Sequence, residues 1–318
     1  ASFEILSGIL SERFGERNLL TFGLISASFG YIGLAFTNSY WMIGACFFVI
    51  GFGGAFQHAL SSSLVSRAYN SDDRRTALGI YNSLGDTGKL IFTSIFSLAI
   101  GVGLSWQPVV SFFGSVALFA GVGIFVSLMY VSTGAKVFIN NDRKSKKINL
   151  GWGLKNKATF FALCVTVFLD TGIQAAFLTF VAFFITSKGA SLSAATIAIS
   201  IVLVGGIAGK AICGFLADLI GIRPAFIFVQ FLTAFGILLL LVLDIVFIFI
   251  LLPFLGMVLQ GSTSITYSLV SDLVHTDRLS RGFSIIYSVS SLSGFLGPIL
   301  FGLTSDNYGL NGGMYMLA

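Results

Sequence analysis

Apolar stretches recur along the chain near 19–37, 41–66, 76–104, 109–133, 159–187, 193–217, 225–243, 245–270 and 282–304. At roughly 1.5 Å per residue, each is long enough as a helix to cross about 30 Å of hydrocarbon. The pattern therefore predicts nine full membrane spans. A tenth, partial span begins around Gly312-Gly313-Met314-Tyr315 and stops at Ala318. The first dozen residues open on Ala1 rather than Met and read as the tail of a helix, so both ends are expected to be truncated. Most connections are short and polar, such as Asn38-Ser39 and Ser187-Lys188-Gly189.

Composition names the solvent. The 318 residues are 56% hydrophobic and only 10% charged, with a mean hydropathy of +0.95. That is more apolar surface than a water-soluble interior of ordinary size can hide. The expectation is an all-α polytopic protein of the cell membrane. Cys46, Cys164 and Cys213 sit singly in separate apolar spans, with neither metal-ligand spacing nor a disulfide framework. No cofactor and no metal are expected.

Charge sets the orientation. The stretch 134–157 carries Lys136, Arg143, Lys144, Lys146, Lys147, Lys155 and Lys157 against the single acid Asp142. It reads as a solvated basic linker on the cytoplasmic side, and no nucleic-acid partner is inferred from it. Arg13, Arg17, Arg67, Arg74, Arg75, Arg223, Arg278 and Arg281 fall in loops or helix ends on the same side, while the opposite loops hold only Lys188.

One cytoplasmic segment occurs twice. Gly8-Ile9-Leu10-Ser11-Glu12-Arg13-Phe14-Gly15-Glu16-Arg17 is matched by Gly214-Phe215-Leu216-Ala217-Asp218-Leu219-Ile220-Gly221-Ile222-Arg223. The offset of 206 residues also superposes Arg75 on Arg281, Tyr81 on Tyr287 and Gly88 on Gly294 without a gap. The chain reads as a duplication. The pattern G-x-L-[A/S]-[D/E]-x-x-G-x-[R/K], twice between apolar spans, resembles the major facilitator superfamily of secondary transporters. The run from Gly51-Phe52-Gly53-Gly54-Ala55-Phe56-Gln57-His58 through Ser66-Arg67-Ala68-Tyr69 to Arg75-Thr76-Ala77-Leu78-Gly79 and on to Lys89 is similar to helices 4 and 5 of bacterial members.

The resemblance implies two pseudo-symmetric six-helix bundles, present here from the end of helix 2 to the start of helix 12. An N-terminal bundle would occupy 1–133, lacking helix 1 and most of helix 2. The linker would be 134–157, and a C-terminal bundle lacking most of helix 12 would occupy 158–318. It implies a conformational role for the repeated motif, through Gly8, Glu12, Gly15, Arg17 and Arg75 in one copy and Gly214, Asp218, Gly221, Arg223 and Arg281 in the other. Glu12 and Asp218 would act as latches, with Arg75 and Arg281 among their partners.

Ionisable groups within spans cost several kcal/mol or more unless paired or hydrated, so each is a functional candidate. Asp86 and Lys89 lie three residues apart on one helical face. Counted from the cytoplasmic edge, Asp86 is about 16 Å deep and Lys210 about 12 Å. In the family arrangement their helices face each other, so Asp86, Lys89 and Lys210 are candidates for charge pairs between bundles, a local Asp86–Lys89 pair being the alternative. The run Gly85-Asp86-Thr87-Gly88-Lys89 is no phosphate loop, because Ser83 and Leu90 stand where Gly and Ser or Thr are needed.

The family's cavity-lining helices 4, 7 and 10 offer Gln57, His58, Ser61, Gln174, Gln260, Thr263 and Tyr267 for substrate. Asp170, four residues before Gln174 and on its face, is the simplest proton carrier. His58 is the next candidate because its ordinary titration lies near neutrality, and Asp86 is the third. The expected function is secondary active transport of a small organic solute by alternating access, coupled to protons, in a monomer within the bilayer. The alternative is a transporter-fold membrane sensor or receptor without turnover. No enzymatic role is expected.

Overall fold

The computed structural model describes residues 2–69, 71–132, 134 and 151–318. The linker residues Lys136, Asp142, Arg143, Lys144, Lys146 and Lys147 lie outside them. The described residues form α1 (Ser2–Phe14), α2 (Glu16–Leu34), α3 (Tyr40–Gly54), α4 (His58–Ala68), α5 (Ser71–Gly101) and α6 (Trp106–Tyr130), followed by α7 (Lys157–Ser187), α8 (Leu192–Ile220), α9 (Ile222–Val242), α10 (Ile245–Leu273) and α11 (Leu279–Leu317).

Among the described residues seven helical segments are long and apolar enough to cross a membrane, against nine predicted. The two that fall short are α2 and α5, present as helices of 19 and 31 residues. The first opens on Glu16, Arg17 and Asn18, and the second carries Asn82, Asp86 and Lys89 along its length. Polar residues lower the hydropathy of these helices without shortening them.

The predicted span 41–66 is interrupted. After Gly51, Gly53 and Gly54 the Phe56 N–H bonds back three residues to Gly53 O at 3.2 Å and Gln57 N–H to Gly54 O at 3.0 Å, before helix resumes at His58. Clustered glycines weaken the helix here. The duplication is visible in the backbone. Gly15 and Gly221, at φ 85° and 90°, make the turns between α1 and α2 and between α8 and α9. Gly103 and Gly309 repeat the offset at φ 87° and 74°, the latter kinking α11 just ahead of the predicted start of the tenth span.

Contacts divide the chain into two compact units. The first comprises Ala1–Ala68, Gly88–Lys155 and Val274–Ser288. In it α2 packs against α1, α3, α4 and α6, around a small core of Leu19, Phe56 and Leu60. The second comprises Tyr69–Thr87, Asn156–Leu273 and Val289–Ala318. Its core draws Phe177 and Phe184 from α7, Ile237 and Leu240 from α9, Leu252 and Leu255 from α10, and Phe301 from α11. Both α5 and α11 are split, their opening turns belonging to one unit and the remainder to the other.

Within the second unit the main seam is α8 on α10. A Cβ on Gly205, Gly209 or Gly256 would overlap the backbone of Pro253, Met257 or Val202 respectively, so the two helices touch main chain to main chain. Large apolar side chains such as Phe29, Phe119, Phe161 and Phe231 stand exposed, the arrangement expected where lipid is the solvent.

Candidate functional site

In the first unit the motif residues gather around the start of α11. Glu12, near the end of α1, accepts from Arg281 Nη2 at 2.6 Å and from Arg278 Nη1 on the same carboxylate oxygen. Glu16, at the start of α2, is only 4% exposed. Its Oε1 accepts from Ser63 Oγ at 2.7 Å and from Ser280 Oγ, and its Oε2 from Arg67 Nη1 at 3.1 Å. Gly8 leaves room for Ser280 and Ser284, against which a Cβ would collide. Arg17 turns away, its guanidinium lying 5.3 Å from the Phe125 ring centre.

The same unit holds the α4 candidates. His58 stacks on Tyr287 with ring centres 5.5 Å apart, and the Tyr287 hydroxyl shares a 2.8 Å hydrogen bond with Ser62. Gln57 and Ser61 are half-buried on either side of His58.

In the second unit the other motif copy receives the first turns of α5. Asp218 Oδ1 accepts from Arg75 Nη1 at 3.1 Å, and Oδ2 accepts from the Thr76 N–H at 3.2 Å and Thr76 Oγ1 at 2.7 Å. Asp272, at the end of α10, adds contacts of 3.7 Å to Arg75 and 3.8 Å to Arg74. Gly214 faces the Arg75 carbonyl and Gly79 that of Lys210. Deeper in, Asp86 pairs with Lys210, and Ser83 Oγ donates to Ile207 O at 2.7 Å. Lys89 and Arg223 are exposed, and Lys89 belongs to the first unit.

Asp170 of α7 is buried, only 4% exposed. Ser262 Oγ lies 2.8 and 2.9 Å from its two oxygens, Gln230 Nε2 of α9 donates to Oδ1 at 2.9 Å, and Gln174 Nε2 donates to Oδ2 at 3.0 Å. Gln174 Nε2 also reaches Thr263 Oγ1 at 3.1 Å. The groups that bond Asp170 are neutral donors from three helices. A cavity of about 350 Å³ opens beside Asp170 and Gln230, with Leu169, Ile173 and Phe226 on its apolar side.

Asp170, Gln174 and Thr263 are thus brought together. Gln260 is not with them: its amide lies against Gly206 of α8, and Nε2 has no hydrogen-bond partner among the described residues. Tyr267 bonds instead to Ser290 of α11 at 2.6 Å. Sequence reasoning missed Glu16, Gln230, Ser262, Arg278 and Tyr287. Glu16 and Arg278 carried a signal, being charges beside the motif and beside Arg281. Ser262 and Gln230 carried none, since nothing sets them apart from the other polar residues in spans.

The family description that matches the chain is the Major Facilitator Superfamily, over residues 1–187 and 160–318. The chain belongs to that superfamily. It is a family of transporters, and the chain is a multi-pass membrane protein of that fold. Over 109 residues it is 31% identical to the class G tetracycline resistance protein of Vibrio anguillarum, a match covering 33% of this chain and 28% of that protein. The fucose:proton symporter FucP of E. coli, in the outward conformation, superposes with a TM-score of 0.75 at 13% identity, covering 99% of this chain and 82% of FucP. The human organic anion transporter MFSD10 superposes at 0.73 and 15% identity, covering 99% of this chain and 79% of that one. The last two likenesses are of fold.

Proposed function

We propose that the protein is a secondary active transporter that moves a small organic solute across the bacterial inner membrane by alternating access, as a monomer, with Asp170 carrying the coupling proton. The reading is carried by Asp170: a buried carboxylate on a membrane-crossing helix, held by neutral donors from α7, α9 and α10. An intramembrane acid in that setting is costly and marks an ion or proton path. The same hydroxyl and amide groups hold the side chain in place whether it is charged or protonated, by exchanging donor and acceptor roles. The two sequence halves act as the bundles, Asp170–Gln174–Thr263 and Gln57–His58–Ser61 offer polar groups to the solute, and His58 and Asp86 are secondary proton carriers. The latches are Glu12 and Asp218, through Arg281 and Arg75.

The names of the relatives suggest the first solutes. The test reconstitutes the protein in proteoliposomes loaded with a pH-sensitive dye and adds tetracycline, fucose and an organic anion in turn. A solute-dependent pH change in wild type, lost in Asp170→Asn, is the expected result. A change that survives in Asp170→Asn would remove the coupling role from Asp170. Absence of any change with the wild type would leave the sensor reading, sodium coupling and an untested solute all standing.

A further inference from the structure

The chain emerging from the basic linker lies directly on the Glu12 latch. Leu154 and Val274 form an antiparallel bridge, and the His275 N–H donates to the Gly153 carbonyl at 2.8 Å. The Gly151 carbonyl accepts from Arg281 Nη1 at 3.2 Å, and the Arg281 guanidinium lies 5.5 Å from the centre of the Trp152 ring. Gly153 sits at φ 76°, and a Cβ there would overlap Cβ and Cγ of Arg278. Four consecutive residues of the strap therefore touch α11 or the turn before it, and both arginines that converge on Glu12 are among the groups touched.

A guanidinium is a rigid planar fork. With Nη1 bound to a main-chain carbonyl and one face against an indole, its orientation is set, and Nη2 is directed at Glu12 at 2.6 Å. Trp152 is 46% exposed, so its placement is not explained by burial in a core. The close fit of Gly153 does the same for Arg278 by contact rather than by hydrogen bonding.

We propose that Gly151–Leu154 is a clamp that positions Arg278 and Arg281 for Glu12, so that the end of the linker and the latch engage and release together. Trp152 is a positioning residue, acting through Arg281. The inference rests on the reading of Glu12 as a latch. It adds that the linker is a mechanical part of that latch: the strap cannot leave without freeing both arginines, and a strap fixed in place keeps them aimed.

Ser284 provides a reporter that needs no known solute. It is 1% exposed, and its hydroxyl lies against Gly8 and 3.5 Å from Ser7 Oγ, where release of α11 from α1 would uncover it. The experiment measures alkylation of Ser284→Cys by N-ethylmaleimide in membranes, in a background with Cys46, Cys164 and Cys213 replaced by Ala. Trp152→Ala should raise the rate about fivefold, the size of one cation–π contact, and Trp152→Phe should return most of it. A disulfide between Leu154→Cys and Val274→Cys, residues paired across the bridge and within reach of such a bond, should slow alkylation below the parent rate. This second variant keeps the test decisive if Trp152→Ala folds poorly. Glu12→Gln separates the two readings. If it raises the rate while Trp152→Ala and the disulfide leave it unchanged, the clamp is overturned and the latch stands. If Glu12→Gln also changes nothing, the latch reading fails and the clamp with it.

Discussion

Asp86 and Lys210 meet within the second unit, 17% and 14% exposed. A fully buried ion pair broken by removal of one partner costs about 3–5 kcal/mol, and partial exposure lowers that figure here through solvent screening. Lys210→Gln and Asp86→Asn should each lower the melting temperature in detergent, and the double substitution should recover part of the loss. A coupling energy on the order of 1 kcal/mol is expected from the double-mutant cycle, and additivity of the two losses would show that the pair contributes nothing. Counting residues along two helices from their cytoplasmic ends is enough to put these two charges at similar depths. The same count fails for Glu16, which sits beside the motif turn and reads as a loop charge until Ser63, Arg67 and Ser280 are seen to enclose it. Nor does it separate Ser262 from its polar neighbours on α10, because which hydroxyl meets Asp170 depends on how α7 and α10 are rotated against each other.

For the helices, hydropathy locates segments well and their interruptions poorly. The break at Ala55–Gln57 lies inside a stretch that reads as one span, and the glycines before it hint at the change to three-residue bonding. The split of α5 and α11 between units is invisible to any local pattern, since it depends on which neighbours each turn acquires. The α8–α10 seam is the opposite case, because glycines four apart on α8 announce a close approach. Gly209→Ala would place a methyl group on the Met257 backbone and should cost about 1–3 kcal/mol. Gly44→Ala, on α3 with nothing near its Cβ position, should be neutral or stabilising by up to about 1 kcal/mol through helix propensity alone. Thermal unfolding of the two variants in detergent checks the contrast, and equal melting temperatures would mean that the seam yields without cost.

Across the whole molecule the distribution of basic residues predicts which face meets the cytoplasm. Lys188, the lone basic residue in the opposite loops, is not a freely solvated charge. Its Nζ donates to the Leu241 and Leu243 carbonyls at 3.0 and 2.9 Å and lies 5.4 Å from the Phe184 ring centre, so it caps the end of α9. A cation at a helix C-terminus is favourable there whichever way the protein is inserted. Lys188 therefore does not weigh against the seven basic residues of 134–157, and the bias that orients short loops points one way only. Cysteines introduced at Ser39, an exposed residue ahead of α3, and at Lys144 in the linker provide the measurement. In intact cells a membrane-impermeant maleimide should label Ser39→Cys and leave Lys144→Cys untouched until the membrane is permeabilised. The reverse pattern would place the linker, the Gly151–Leu154 strap and both motif copies outside.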